Sequence, residues 1–242
     1  MTILRDAWRT VVPERGARHG PLPPVLLALT VVTGLVDAVS YLALGHVFVA
    51  NMTGNVVFIA FSLAGAPEFS LIASALALVS FVGGAVLGGR IGHRYTHRGR
   101  RLLVLLAAQA VFVTAGYLVA VFASGLGDGP ARYVLIVLLG LGMGNQNAGA
   151  RSLAVPELTT TVLTMTITGA SADAGWLGGP GSKLGRRLTS ALAMFFGALV
   201  GALLVLHVSV SLALLVIVVM VLGLTGAAIG LARSTQGWTQ PV

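Results

Sequence analysis

Residues 47–63 read Val47-Phe48-Val49-Ala50-Asn51-Met52-Thr53-Gly54-Asn55-Val56-Val57-Phe58-Ile59-Ala60-Phe61-Ser62-Leu63. The fold turns on whether this stretch crosses a bilayer or enters it and comes back. Its second half suits lipid. Its first half gathers two amides, a hydroxyl and a glycine in an otherwise apolar run, and a hydrocarbon environment does not reward polar side chains unless protein or water partners them.

Further apolar segments lie on either side, at about 24–44, 71–89 and 102–123, and then at 133–154, 158–174, 188–206 and 208–231. None shows the alternation of a strand, and all are too long for barrel strands, so the helix is the solution that satisfies their backbone in lipid. The chain has 56% hydrophobic and 9% charged residues and a mean hydropathy of +0.94. A soluble domain carries about a quarter charged residues, so this composition excludes a water-surrounded globule. The expected class is an all-α membrane protein, a polytopic helix bundle, with room for about six to eight crossings of roughly 20 residues each. The first apolar run outlasts the roughly 7–15 residues of a cleaved signal and is expected to be the first crossing.

Charge orders the segments. Basic residues cluster at Arg5, Arg9, Arg15 and Arg18, at Arg90, Arg94, Arg98, Arg100 and Arg101, at Lys183, Arg186 and Arg187, and at Arg233. Such clusters belong on the cytoplasmic side. Eight simple crossings put the 90–101 loop outside. If the segments near 47–63 and 158–174 dip in and return, every cluster falls inside, and Asp128 and Arg132 fall outside. The net charge of +8 is therefore assigned to membrane orientation, and no nucleic-acid partner is expected.

The two sets of segments resemble each other. Gly34-Leu35-Val36-Asp37-Ala38 matches Gly144-Asn145-Gln146-Asn147-Ala148 in spacing, Asn51 to Asn55 falls opposite Val162 to Thr166, and Gly84 and Gly88 fall opposite Gly197 and Gly201. A probable inverted repeat follows: two units, each of three crossings plus one short re-entrant or broken segment. The expected organisation is a basic cytoplasmic segment 1–23, a single transmembrane domain 24–232 with repeat one at about 24–124 and repeat two at about 131–232, and a cytoplasmic tail 233–242. Dense glycine at Gly83, Gly84, Gly88 and Gly89 points to close helix packing and not to a phosphate cradle.

Polar residues inside apolar runs mark candidate sites. Asp37, the only carboxylate in the first unit's crossings, is a candidate for coupling a proton or cation to movement; the alternative is a helix-capping role. Ser40 follows one turn later. Asn51, Thr53 and Asn55 line a substrate path if the helix is broken there, and bond neighbouring helices if it is not. In the second unit Asn145, Gln146 and Asn147 are consecutive, and Arg151 either opposes Asp37 or Asp173 or snorkels to the surface. Thr161 and Thr164, within a threonine run from Thr159 to Thr168, suit a polar wall or bonds back to their own helix. Zinc, nucleophile-elbow and phosphate-loop motifs are missing, so no enzyme, metal or cofactor is expected. His93 and His97 belong with the basic cluster beside lipid headgroups. There is no cysteine.

These residues resemble the YoaK family of bacterial membrane proteins, also called the domain of unknown function 1275 family. The resemblance rests on Gly34-x-x-Asp37-Ala38-x-Ser40-Tyr41-Leu42, on Val47 through Asn55, and on Gly144 through Ala148 with Arg151, and it covers about residues 24–231. The chain departs from it at Thr164-Met165, where the family tends to have Thr-Gly. The resemblance implies a multi-pass protein of the bacterial inner membrane. The function expected is a small-molecule or ion transporter or permease of that membrane, with a non-transporting scaffold as the alternative and a membrane-embedded enzyme behind both. Lipid, an unidentified solute and a second copy of the chain are the partners considered.

Overall fold

A computed structural model describes residues 2–14, 16–123, 129–156, 158, 168 and 184–240. Among them the chain forms α1 (Thr2–Val11), α2 (Leu22–Ala43), α3 (Met52–Leu63), α4 (Leu71–Arg94), α5 (Arg98–Phe122), α6 (Pro130–Ser152), α7 (Leu184–His207) and α8 (Val210–Ala232), closed by a 3-10 turn at Gly237–Thr239. No strand occurs among the described residues. The expected all-α bundle is what forms. Most of the segment 158–174, with Thr161, Thr164 and Asp173, lies outside the described residues, as do Asp128 and Lys183.

Five helices, α2, α4, α5, α7 and α8, are long and apolar enough to cross a membrane. Helix α6 has 23 residues, but its amide-bearing second half lowers its apolarity. Helix α3 has 12 residues and spans ~18 Å, well short of the ~30 Å hydrocarbon layer. Large apolar side chains face outward, Val79 at 70% and Phe195 at 59% exposure, while Asp37, Asn55, Gln109, Asn145 and Gln146 are buried. That distribution is the reverse of a soluble protein's.

Helix ends extend past the apolar segments. Arg90, His93 and Arg94 lie in the last turns of α4, and Arg98, Arg100 and Arg101 open α5, leaving residues 95–97 as the connection. Hydropathy marks only the lipid-immersed part of a helix; long basic side chains let the backbone continue helical into the headgroup layer. The N-terminal segment also contains a helix of its own, α1, packed on α7.

Interhelical contacts fix the direction of each helix. Arg98 at the start of α5 bonds the Leu153 carbonyl at the end of α6 and the Trp238 carbonyl beyond α8, and Arg186 at the start of α7 bonds the Pro156 carbonyl. The N-terminus of α2, the C-termini of α4, α6 and α8, and the N-termini of α5 and α7 thus share one end with the described basic clusters. Arg132, beside Gly45, sits at the opposite end. Helices α2 and α6 therefore run in opposite directions.

Two helix pairs share one contact register. A Cβ on Gly34 of α2 would lie 2.3 Å from the Met194 carbonyl oxygen of α7, and one on Gly144 of α6 would lie 2.0 Å from the Phe81 carbonyl oxygen of α4. In return, Gly197 abuts the Val31 carbonyl at 2.1 Å and Gly84 abuts the Leu141 carbonyl at 2.0 Å. Gly201 meets Leu35 and Ala38; Gly88 meets Asn145 and Ala148. Every partner in one pair stands at the same offset from its glycine in the other. Without a side chain at these positions the backbones approach closely, which is how helices gain packing energy in lipid. Gly34→Val and Gly144→Val are expected to lose similar stability, about 1–3 kcal/mol or more from overpacking. Gly223→Ala, where nothing lies within 4 Å, should not lose any. Thermal unfolding in detergent checks this; indistinguishable midpoints for all three would show that the glycine contacts do not hold the pairs together.

Candidate functional site

The stretch that decides the fold begins where α2 ends. Gly45 at φ +90° and His46 at φ +55° reverse the chain, and the His46 N–H closes the turn on the Tyr41 carbonyl at 3.2 Å. Gly45 suits this turn by its left-handed backbone, and the Arg132 guanidinium lies close over it, 3.1 Å from where a Cβ would stand. Residues 47–51 then run back along α2 without helical bonds, and α3 returns the chain toward the far end. The segment dips in and comes out.

Non-helical backbone in a packed membrane domain must find side-chain partners. Asp37 provides them from α2: its Oδ1 accepts the Ala50 N–H at 3.1 Å and its Oδ2 accepts the Asn51 amide. Asn51 is the N-cap residue of α3, so the carboxylate sits at the positive end of that helix. Asn55, wholly buried, accepts the Phe48 N–H through its Oδ1 at 2.9 Å and donates its Nδ2 to the Phe48 carbonyl. A ladder of rings covers the fold-back: Tyr41 stacks on Phe48 at 4.9 Å, Phe48 on Phe58 at 5.9 Å and Phe58 on Phe69 at 4.7 Å. Ser40 donates to the Asp37 backbone carbonyl at 3.2 Å. Thr53 is exposed. Of the three polar residues expected together in this stretch, Asn51 binds the Asp37 carboxylate, Asn55 holds the Phe48 backbone, and Thr53 is exposed.

A second polar group lies deeper. Gln146 of α6 donates to Thr33 Oγ1 of α2 at 2.8 Å and accepts from Gln109 Nε2 of α5 at 2.5 Å, linking three helices through buried side chains. Asn145 donates to the Leu105 carbonyl of α5 at 2.9 Å, while its buried Oδ1 accepts no hydrogen bond among the described residues. Asn147 donates to Met143 of its own helix at 3.0 Å. Thr33 is one turn from Asp37 along α2, ~6 Å, so the two groups adjoin along the most enclosed of the five apolar helices. Beside Gln109 and Gln146 lies an apolar-walled void of about 10 Å³, about the space of one water probe.

Hydrogen bonds join the helix ends at the basic end. Arg98, 1% exposed, donates to the carbonyls of Leu153 and Trp238 and meets His19 Nδ1 at 3.2 Å. Arg101 Nη1 donates to the Ser152 carbonyl at 2.5 Å, so two arginines of α5 satisfy the exposed carbonyl end of α6. His97 accepts the Arg100 N–H at Nδ1, which leaves its Nε2 to donate to Ser234 at 2.9 Å. Residues of the 233–242 segment pack here, with the Trp238 ring over Gly20. Arg151 is exposed at this end, while the side-chain partners of Asp37 are Ala50 and Asn51, which fits the surface alternative for that arginine.

Three residues carry more of this geometry than the sequence pattern indicates: Thr33, Gln109 and Arg98. Gln109 is a lone amide in an apolar run, and its isolation was the available signal. Asn55→Ala is expected to lose about 1–3 kcal/mol by stranding buried Phe48 groups, and Thr53→Ala to be neutral. Thermal midpoints in detergent decide it; an unaffected Asn55→Ala would mean that Phe48 finds other partners.

Comparison with known proteins places this geometry. The chain is 29% identical over 150 residues to the UPF0700 transmembrane protein YoaK of Bacillus subtilis (strain 168), an alignment covering 61% of this chain and 64% of that relative, just under two thirds of its length. No solved structure matches. A family described as a protein of unknown function, DUF1275, matches residues 25–227, which takes in the fold-back, the amide group and both glycine-paired helix pairs. The chain is a membrane protein of the DUF1275 family.

Proposed function

We propose that the chain is a small secondary transporter of the bacterial cytoplasmic membrane, built from two inverted units of three crossings, and not an enzyme. The carrying observation is the buried polar line from Asp37 through Thr33 and Gln146 to Gln109, which joins the first helix of each unit at the centre of the bundle. Broken segments and polar residues at the interface of inverted repeats are where transporters hold solutes. The shared glycine register of α2 with α7 and α4 with α6 supports the two-unit plan. Asn51, Asn145 and Gln146 supply neutral donors and acceptors, and Asp37 is the only acidic side chain in the six long helices, fitting it to carry a coupled proton or cation. Among the described residues the amides adjoin a space of about 10 Å³.

The direct bonding of these amides to one another and to Thr33 is also the observation that favours the second reading, a non-transporting scaffold whose amides only join helices. Uptake separates the two. In proteoliposomes offered neutral polar solutes, amino acids and monovalent cations, the transporter reading expects uptake of at least one class above protein-free liposomes. Gln146→Leu, which removes the bonds to both Thr33 and Gln109, should cut it by about tenfold or more. No uptake across these classes by protein with an unchanged thermal midpoint would favour the scaffold.

Orientation follows from charge, with the basic end and both termini in the cytoplasm. A periplasm-dependent reporter inserted at Tyr95-Thr96, between α4 and α5, is expected to be silent. Activity there would reverse this orientation.

A further inference from the structure

Helix α1 has an apolar stripe that the bundle does not cover. Its inner face is accounted for: Thr10 is fully buried, and Asp6 Oδ2 accepts the Arg186 N–H of α7 at 3.0 Å. Leu4, Trp8 and Val11, at helical spacings of four and three, stand 80%, 66% and 48% exposed. Arg5 and Arg9 flank the stripe and are exposed as well.

We propose that α1 lies in the plane of the membrane as an anchor seated on anionic lipid headgroups at the basic end of the bundle. Three observations select this occupant. The stripe continues the outward apolar face of α7, on which α1 packs and where Leu188 and Leu192 are 45% and 53% exposed. Lipid that covers α7 therefore reaches α1. Charge complementarity supplies the sign: Arg18, Arg90, Arg94 and Arg100 are also exposed at this end, whereas Asp6 is held by α7 and Glu14 pairs with Arg9 at 2.7 Å. Finally, an amphipathic helix with tryptophan on its apolar side and arginine beside it is built for the headgroup boundary, where the indole ring is favoured and cations meet phosphate. This inference is independent of transport.

The absence of cysteine permits a single spin label at Leu4→Cys in the full chain, which leaves Trp8 in place. In phosphatidylcholine vesicles containing phosphatidylglycerol, the label is expected to collide with lipid-soluble oxygen and to be shielded from a water-soluble nickel chelate. Adding Arg5→Gln, whose charge is not engaged by Glu14, should weaken the seating roughly fivefold. A label open to the chelate would overturn the proposal. So would equal immersion in pure phosphatidylcholine, or dipolar broadening showing that a second copy covers the stripe.

Discussion

One carboxylate holds the plan of the bundle. Asp37 reaches from α2 to the Ala50 N–H and the Asn51 amide, and without those bonds residues 47–51 would present unpaired backbone to apolar neighbours. In water such a stretch is solvated at little cost, but inside a membrane domain each orphan group costs several kcal/mol. Asn55 completes the same task at Phe48. The fold-back keeps α3 from becoming a crossing, so three long helices, an odd number, precede α6. The opposite directions of α2 and α6 follow from that parity.

Glycine then determines how the units meet. Lipid tails are as apolar as leucine, so helices gain nothing by hiding apolar surface from them and must profit from close contact. Gly34 against Met194 and Gly144 against Phe81 make the first long helix of each proposed unit pair with the second long helix of the other. The units interlock, and neither pair can loosen without parting backbone surfaces across the middle of the bundle.

Much of this was legible in the sequence because lipid imposes few solutions. Apolar length marked the long helices, arginine position marked their common end, and the spacing of Gly34, Gly144, Gly84 and Gly197 marked equivalent positions, though not which helices they join. What the pattern could not show were bonds made by single residues across distant helices. Gln109 resembles any tolerated amide until Gln146 stands opposite it, and Arg98 resembles a headgroup contact until the ends of α6 and α8 close over it. Asn51 and Asn55 were legible as misfits in lipid, yet polarity alone does not distinguish a side chain that meets a solute from one that holds its own backbone.

The two roles need not compete at Asp37. Its carboxylate is bound to the start of α3, while Thr33, one turn away on the same face of α2's enclosed surface, is bound to Gln146. A rigid helix transmits displacement along its axis, so a shift of the α3 N-terminus that draws on Asp37 also draws on the Thr33 hydroxyl and the amides behind it. In the transporter reading, a cation or proton that competes with Ala50 and Asn51 for the carboxylate would release the fold-back and disturb the Gln146 bonds together. The interaction that closes the backbone is then the one that a coupling ion would have to open.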